Sequence, residues 1–222
     1  MVGHGTNVAS MYRIAGPGHV FVDSYLHDSY NTGAERQCIS GIEQPTNILV
    51  ENCFLACAGE NIGFGGSKPS SGVLNGSDAL IHKNHFVYQL YWWSGHSSYE
   101  GVNISGSIAK NDFEVKALER FQLTGNVFEN KPYSGGQSYS IPIKVSLAGD
   151  ATNTDVYTRD YTFSNNIVAG AVAALNIFGQ YDSSSPPVSP PDYVERWGRM
   201  EAIKNLFLDI NKVTWDASAP AL

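Results

Sequence analysis

Charge is scarce in this sequence: Asp, Glu, Lys and Arg make up only 16% of its 222 residues, and the cations are not clustered. A phosphate backbone is held by clustered Lys and Arg, so nucleic acid is not an expected partner, and the net charge of −7 points the same way. That charge also repels polyanions at long range unless a local basic spot offsets it. Long apolar runs are missing too. The nearest to one, Ile167 to Phe178, is interrupted by Gly170 and Asn176 and falls short of the roughly 18–20 residues of a membrane span, so none is expected. The opening MVGHGTNVAS has no charged segment leading into an apolar one, hence no visible export signal. Cysteine is limited to Cys38, Cys53 and Cys57, which predicts no disulfide framework. No second Cys or His pair stands near Cys53 and Cys57 to complete a zinc site, and all three are expected as small buried apolar side chains. Helical periodicity is absent apart from a weak stretch near Tyr193–Ala202.

What the sequence does contain is a recurring phrase: an alternating apolar run, then Asn, any residue, and a large apolar residue. It reads Ile48 to Phe54 around Asn52, Leu80 to Phe86 around Asn84, and Leu123 to Phe128 around Asn126. It returns as Phe163 to Val168 around Asn166 and Ile203 to Phe207 around Asn205. Val20 to Leu26 is a degenerate first copy with Ser24 in the Asn place. The steps are 28, 32, 42, 40 and 39 residues. Constant strands with variable connections mark a solenoid, whose insertions project outward without disturbing the stack. A second strand lies between copies, at Gln37–Ser40, Asn61–Phe64, Glu114–Ala117, Ser140–Ile143 and Asn176–Gly179, with residues 7–14 as an earlier member. Each coil then holds at least two period-2 strands and a turn. Asn at a fixed position suits a left-handed bend, and stacked Asn side chains can bond to one another along the axis. The expected fold is all-β: one domain over residues 1–222, a right-handed parallel β-helix of about six coils with long loops and uncapped ends.

The phrases VDSYL (22–26), AGENIGFGG (58–66), NHF (84–86), GNVFEN (125–130), SNNIV (164–168) and KNLF (204–207) resemble a bacterial family of right-handed parallel β-helix proteins within the pectate-lyase-like superfamily. That family has no well-established activity. The resemblance implies a carbohydrate ligand, an extracellular or cell-surface location, and a chain that is an internal fragment truncated at both ends.

If the second strands form one sheet with alternating faces, Gln37, Asn61, Glu114, Ser140 and Asn176 make an outward polar stripe flanked by Glu60 and Lys116. Inserts at 27–36, 87–112 and 129–138 on one side, and at 66–77, 148–159 and 180–199 on the other, would wall it into a groove. Tyr91, Trp92 and Trp93 would line that wall as stacking platforms for sugar rings; the alternative is a hydrophobic lid over the column. Glu60 and Glu114 on neighbouring coils could act as acid and nucleophile or base in glycoside hydrolysis. They could equally hold Ca²⁺, with Lys116 as the base of a uronide lyase; the alternative is a solvated stripe in which Glu114 forms a salt bridge with Lys116. Sharper signatures fail: Gly3-His4-Gly5 lacks the aspartates that accompany it in polygalacturonases, and the Trp, Asp, His and Arg segments of pectate lyases are missing. A structural or adhesive spacer without catalysis is the competing reading.

Overall fold

The computed structural model describes residues 10–30, 36–41, 45–65, 75–99, 110–133, 142–145, 158–177 and 197–215. Among them, strands follow one another in a strict three-step rotation through three parallel sheets. The first sheet stacks β1 (Ser10–Ile14), β4 (Gln37–Gly41), β7 (Glu60–Phe64), β10 (Phe113–Val115), β13 (Ile143–Val145) and β16 (Leu175–Ile177). The second stacks β2 (Val20–Val22), β5 (Thr46–Glu51), β8 (Gly76–His82), β11 (Leu118–Thr124), β14 (Thr158–Ser164) and β17 (Trp197–Ile203). The third stacks β3 (Tyr25–Ser29), β6 (Phe54–Cys57), β9 (His85–Val87), β12 (Val127–Lys131), β15 (Ile167–Ala171) and β18 (Leu206–Ile210). Each coil therefore has three strands, and six coils form a parallel β-helix. The stretch expected to show weak helical character is strand β17 from Trp197 onward.

Period-2 alternation fills the interior with columns of like residues. Leu26, Leu55, Phe86, Phe128 and Val168 share one register position of the third sheet, and all are buried. The Phe86 and Phe128 rings stack at 4.5 Å. Val50, Ile81, Leu123 and Phe163 do the same in the second sheet, and Ile39, Ile62, Phe113 and Ile143 in the first.

The corner between the second and third sheets is set by two adjacent positions. Asp23, Asn52, Lys83, Gly125, Asn165 and Lys204 all have positive φ and make the bend. The next residue carries the ladder. The backbone amides of Cys53, Asn84, Asn126 and Asn166 donate to the Oδ1 of Asn84, Asn126, Asn166 and Asn205 respectively, at 2.9 to 3.0 Å. Each ladder Nδ2 donates back to a carbonyl of the preceding coil, as Asn126 does to Ile81 at 2.9 Å. Two expectations are corrected here. The left-handed bend belongs to the residue before the ladder asparagine, because the ladder residue must aim its side chain along the axis inside the corner. Asn52 is a bend residue, bonded to Asp23, and Cys53 takes the ladder place, since Phe54 pairs with His85.

The opposite corner, between the third and first sheets, is polar inside. Cys38 and Cys57 form a disulfide between the two strands of one coil, so they are not simply small apolar fillers; only Cys53 is free, and it is buried. Two coils on, Asp112 and Lys131 stand in the same relation with the same separation of 19 residues, as an ion pair at 3.0 Å that is wholly buried. Asn61 lies between them, accepting from the Cys57 amide at 2.6 Å and donating to Asp112 at 3.1 Å. Burial pushes the Asp112 carboxyl above its usual range, against the attraction of Lys131. A charge in such a place is tolerated only because its partners are built in.

Candidate functional site

Three outer surfaces carry the polar and aromatic residues that could meet a ligand. On the first sheet, Gln37 faces outward beside Glu60 and donates to it at 2.5 Å, while Ser10 donates to Gln37 at 3.1 Å. The Glu60 carboxylate lies across Gly63, where any Cβ would collide with it. Glu114 is in register with Gly63, not with Glu60, so the two acids come from different columns. Lys110 stands between them, 3.1 Å from Glu60 and 3.6 Å from Glu114, and Lys116 closes the chain at 2.9 Å from Glu114. Both glutamates are only 3% exposed. Both carboxylates are thus engaged by ammonium groups and largely closed off from solvent, unlike an acid pair lying open in a groove with room for a sugar between them.

Other members of the expected stripe scatter. Asn61 points into the corner between the third and first sheets and is fully buried, because it shares its register position with Cys38 and Asp112 rather than with Gln37. Asn176 does share the column of Glu114 and Gly63. Ser140 and most of the expected groove walls lie outside the described residues. Among the described residues, no group of three or more His, Cys, Asp or Glu is placed to hold a metal ion.

The aromatic turn also lies elsewhere than expected. Leu90–Trp92 form a 3-10 turn, not a strand, so consecutive side chains need not point to opposite faces, and both Trp92 (2% exposed) and Trp93 (8%) are buried. They pack with Ala56, Ala58, Val87 and Tyr88 in a second apolar cluster, separate from the main core. Trp215, from the helical turn α1 (Lys212–Trp215), stacks on Trp93 at 5.6 Å and lies where Gly170 leaves room for it. The tryptophans are a lid rather than an open platform. Tyr91 is half-buried at the lid's edge and donates its hydroxyl to Asp28 at 2.6 Å.

The third surface was not foreseen. The residue after each ladder position faces outward on the third sheet, giving the column Tyr25, Phe54, His85, Val127, Ile167 and Leu206. Its first three members are aromatic. Tyr25 is 55% exposed and stacks on Phe54 at 4.5 Å, and Phe54 meets the His85 ring edge-on. Hydrogen-bonding pairs flank them: His27 Nδ1 with Asp28 at 2.6 Å, and His85 Nε2 with Glu129 at 2.7 Å. Asp28 sits on a bulge with positive φ, which turns its carboxylate towards both His27 and Tyr91. Once the ladder position is known, the next residue in each phrase must face out, and that was the available signal. No family model matches the chain, and neither characterised proteins nor solved structures give a match.

Proposed function

We propose that this protein is an extracellular β-helix that binds a neutral polysaccharide on the outer face of its third sheet, without catalysis. The observation that carries the reading is the exposed Tyr25, next to Phe54 and His85 and flanked by the His27–Asp28 and His85–Glu129 pairs. An accessible aromatic ring takes the apolar face of a sugar, and side chains already oriented by one another offer donors and acceptors to its hydroxyls at little cost in conformational entropy. The net charge of −7 favours a neutral chain over a uronide polymer. The Cys38–Cys57 disulfide supports an oxidising compartment. The resemblance to the pectate-lyase-like superfamily is fold analogy and supports only the class of ligand.

Affinity electrophoresis through gels cast with neutral and acidic polysaccharides tests this. Retardation by a neutral polymer is expected, and Tyr25→Ala should weaken it by about tenfold, the size of a modest contact hot spot. Unretarded migration in every gel would refute binding. The second reading, a rigid spacer, is favoured by the ladder, the disulfide and the buried ion pair, all of which stiffen the column, and it is what that failure would leave. Release of reducing ends or unsaturated products from any polymer would instead restore the catalytic reading of Glu60, Glu114 and Lys116.

A further inference from the structure

The first and last coils present matching faces. In the last coil, β16, β17 and β18 each pair on one side only among the described residues. Phe207 occupies the inward column of Leu26, Leu55, Phe86, Phe128 and Val168, yet it is 46% exposed, where those five are 4% or less. Leu206 and Leu208 beside it are exposed as well. The ladder is open there too: each ladder amide donates to the side chain one coil further on, and for Asn205 no such acceptor stands among the described residues. In the first coil, β1, β2 and β3 are the opposite edges, with Tyr12, Val20, Val22 and Tyr25 exposed. Ser24 holds the ladder position, its hydroxyl donating to Val22.

We propose that the occupant of the last coil's face is a second copy of this chain, its first coil stacked on the sixth coil of its neighbour so that all three sheets continue head to tail. Register alone decides which residues then meet. Ser24 comes to Asn205 as the next ladder acceptor, Leu26 to Phe207, Tyr25 to Leu206, and Val22 to Ile203. In the bend column Asp23 comes to Lys204, opposite charges that are both exposed in the single chain. In the second sheet Gly18 meets Arg199 and adds no side chain to crowd it. One contact opposes the fit, Asp28 against Asp209, but each is already engaged, Asp28 by His27 and Tyr91 and Asp209 by Asn211 and Trp215. Unpaired strand edges are templates for addition of another strand, and a head-to-tail contact does not close on itself, so assembly grows as an open filament.

Sedimentation velocity of the full 222-residue chain over a wide concentration range reads this directly, with species growing beyond the dimer expected. Asp23→Lys or Lys204→Asp alone should raise the concentration needed for association several-fold, and the double variant should recover it. Both positions are exposed, and circular dichroism checks that each variant keeps its strands. Zero-length carboxyl–amine coupling should join residue 23 of one copy to residue 204 of another; within one chain they are about 24 Å apart, beyond its reach. A chain that stays single throughout, stops at a closed dimer, or associates with no response to the charge swap overturns the proposal.

Discussion

Asn126 shows how one side chain sets the pitch of the column. Its Oδ1 accepts from the amide of Asn84, and its Nδ2 donates to Ile81 and to Asn166, all inside a buried corner. Asn126→Ala orphans the Asn84 amide and the Ile81 carbonyl, and urea unfolding should show a loss of about 1–3 kcal/mol. Phe128→Ala should cost more, about 3–5 kcal/mol, because the stacked column around it cannot collapse onto the vacated volume. Lys131 poses a different problem. Lys131→Met leaves the Asp112 carboxylate without its ammonium, at a cost of about 3–5 kcal/mol near neutral pH. The pH dependence has a definite sign. Asp112 is pushed above its usual range by burial, so its protonated form favours the fold, and that contribution is lost as pH rises through the folded value. The stability deficit of Lys131→Met should therefore be smallest in acid, near the ordinary carboxylate value of about 4, and should widen towards neutrality.

Strands of the second sheet share a feature that no single residue reveals. Gly18, Asn47, Asp78, Arg120, Asp160 and Arg199 stand at one register position, and every one has positive φ, a left-handed kink repeated in all six coils. The last four alternate in charge: Arg120 grips Asp78 with two bonds at 2.7 and 2.8 Å, and Arg199 grips Asp160. These bonds hold both aspartates below the usual carboxylate range. Their contribution is thus present above the ordinary carboxylate value and is lost as pH falls through the lowered one. Exposure keeps it small, so Arg120→Ala should change stability by less than about 1 kcal/mol. Arg120→Gly should be no worse, since glycine is at ease where alanine is strained. The disulfide between β4 and β6 makes a cleaner test. Without reductant the native chain should show no reactive thiol, because Cys53 is buried and its thiol is pushed up by that burial. Unfolding should expose one thiol, and reduction three, with about 2–4 kcal/mol of stability lost when the bridge opens.

Across the whole molecule, the chain returns on itself after the sixth coil. The α1 turn places Trp215 over Gly170 and against Trp93, and the Tyr133 amide donates to the Trp215 carbonyl at 2.7 Å. One clasp thus ties the turn that follows β9 to coils further along the column. Trp215→Ala should release the outer coils locally while leaving the middle of the stack intact. Hydrogen exchange is expected to quicken in β15 and β18, with β5 and β8 still protected; uniform quickening would mean that the column unfolds as a single unit.

The repeat phrase determined the coils. Residues one coil apart must satisfy the same inward packing and the same corner, so Asn84, Asn126, Asn166 and Asn205 and the apolar residues after them were legible from the sequence alone. Asn52 was not, because asparagine suits both the bend and the ladder, and only strand pairing shows that Cys53 holds the ladder place there. Asn165-Asn166, with one asparagine in each role, was the clue. The tertiary structure alone decided which side chains meet across the corners: Cys38 with Cys57, Asp112 with Lys131, and Lys110 with Glu60 and Glu114. It also buried Trp92 and Trp93, through a turn whose partner Trp215 lies far along the chain. A local pattern records which face a residue takes; which residue it faces depends on the lengths of the connections between strands, and those vary from coil to coil.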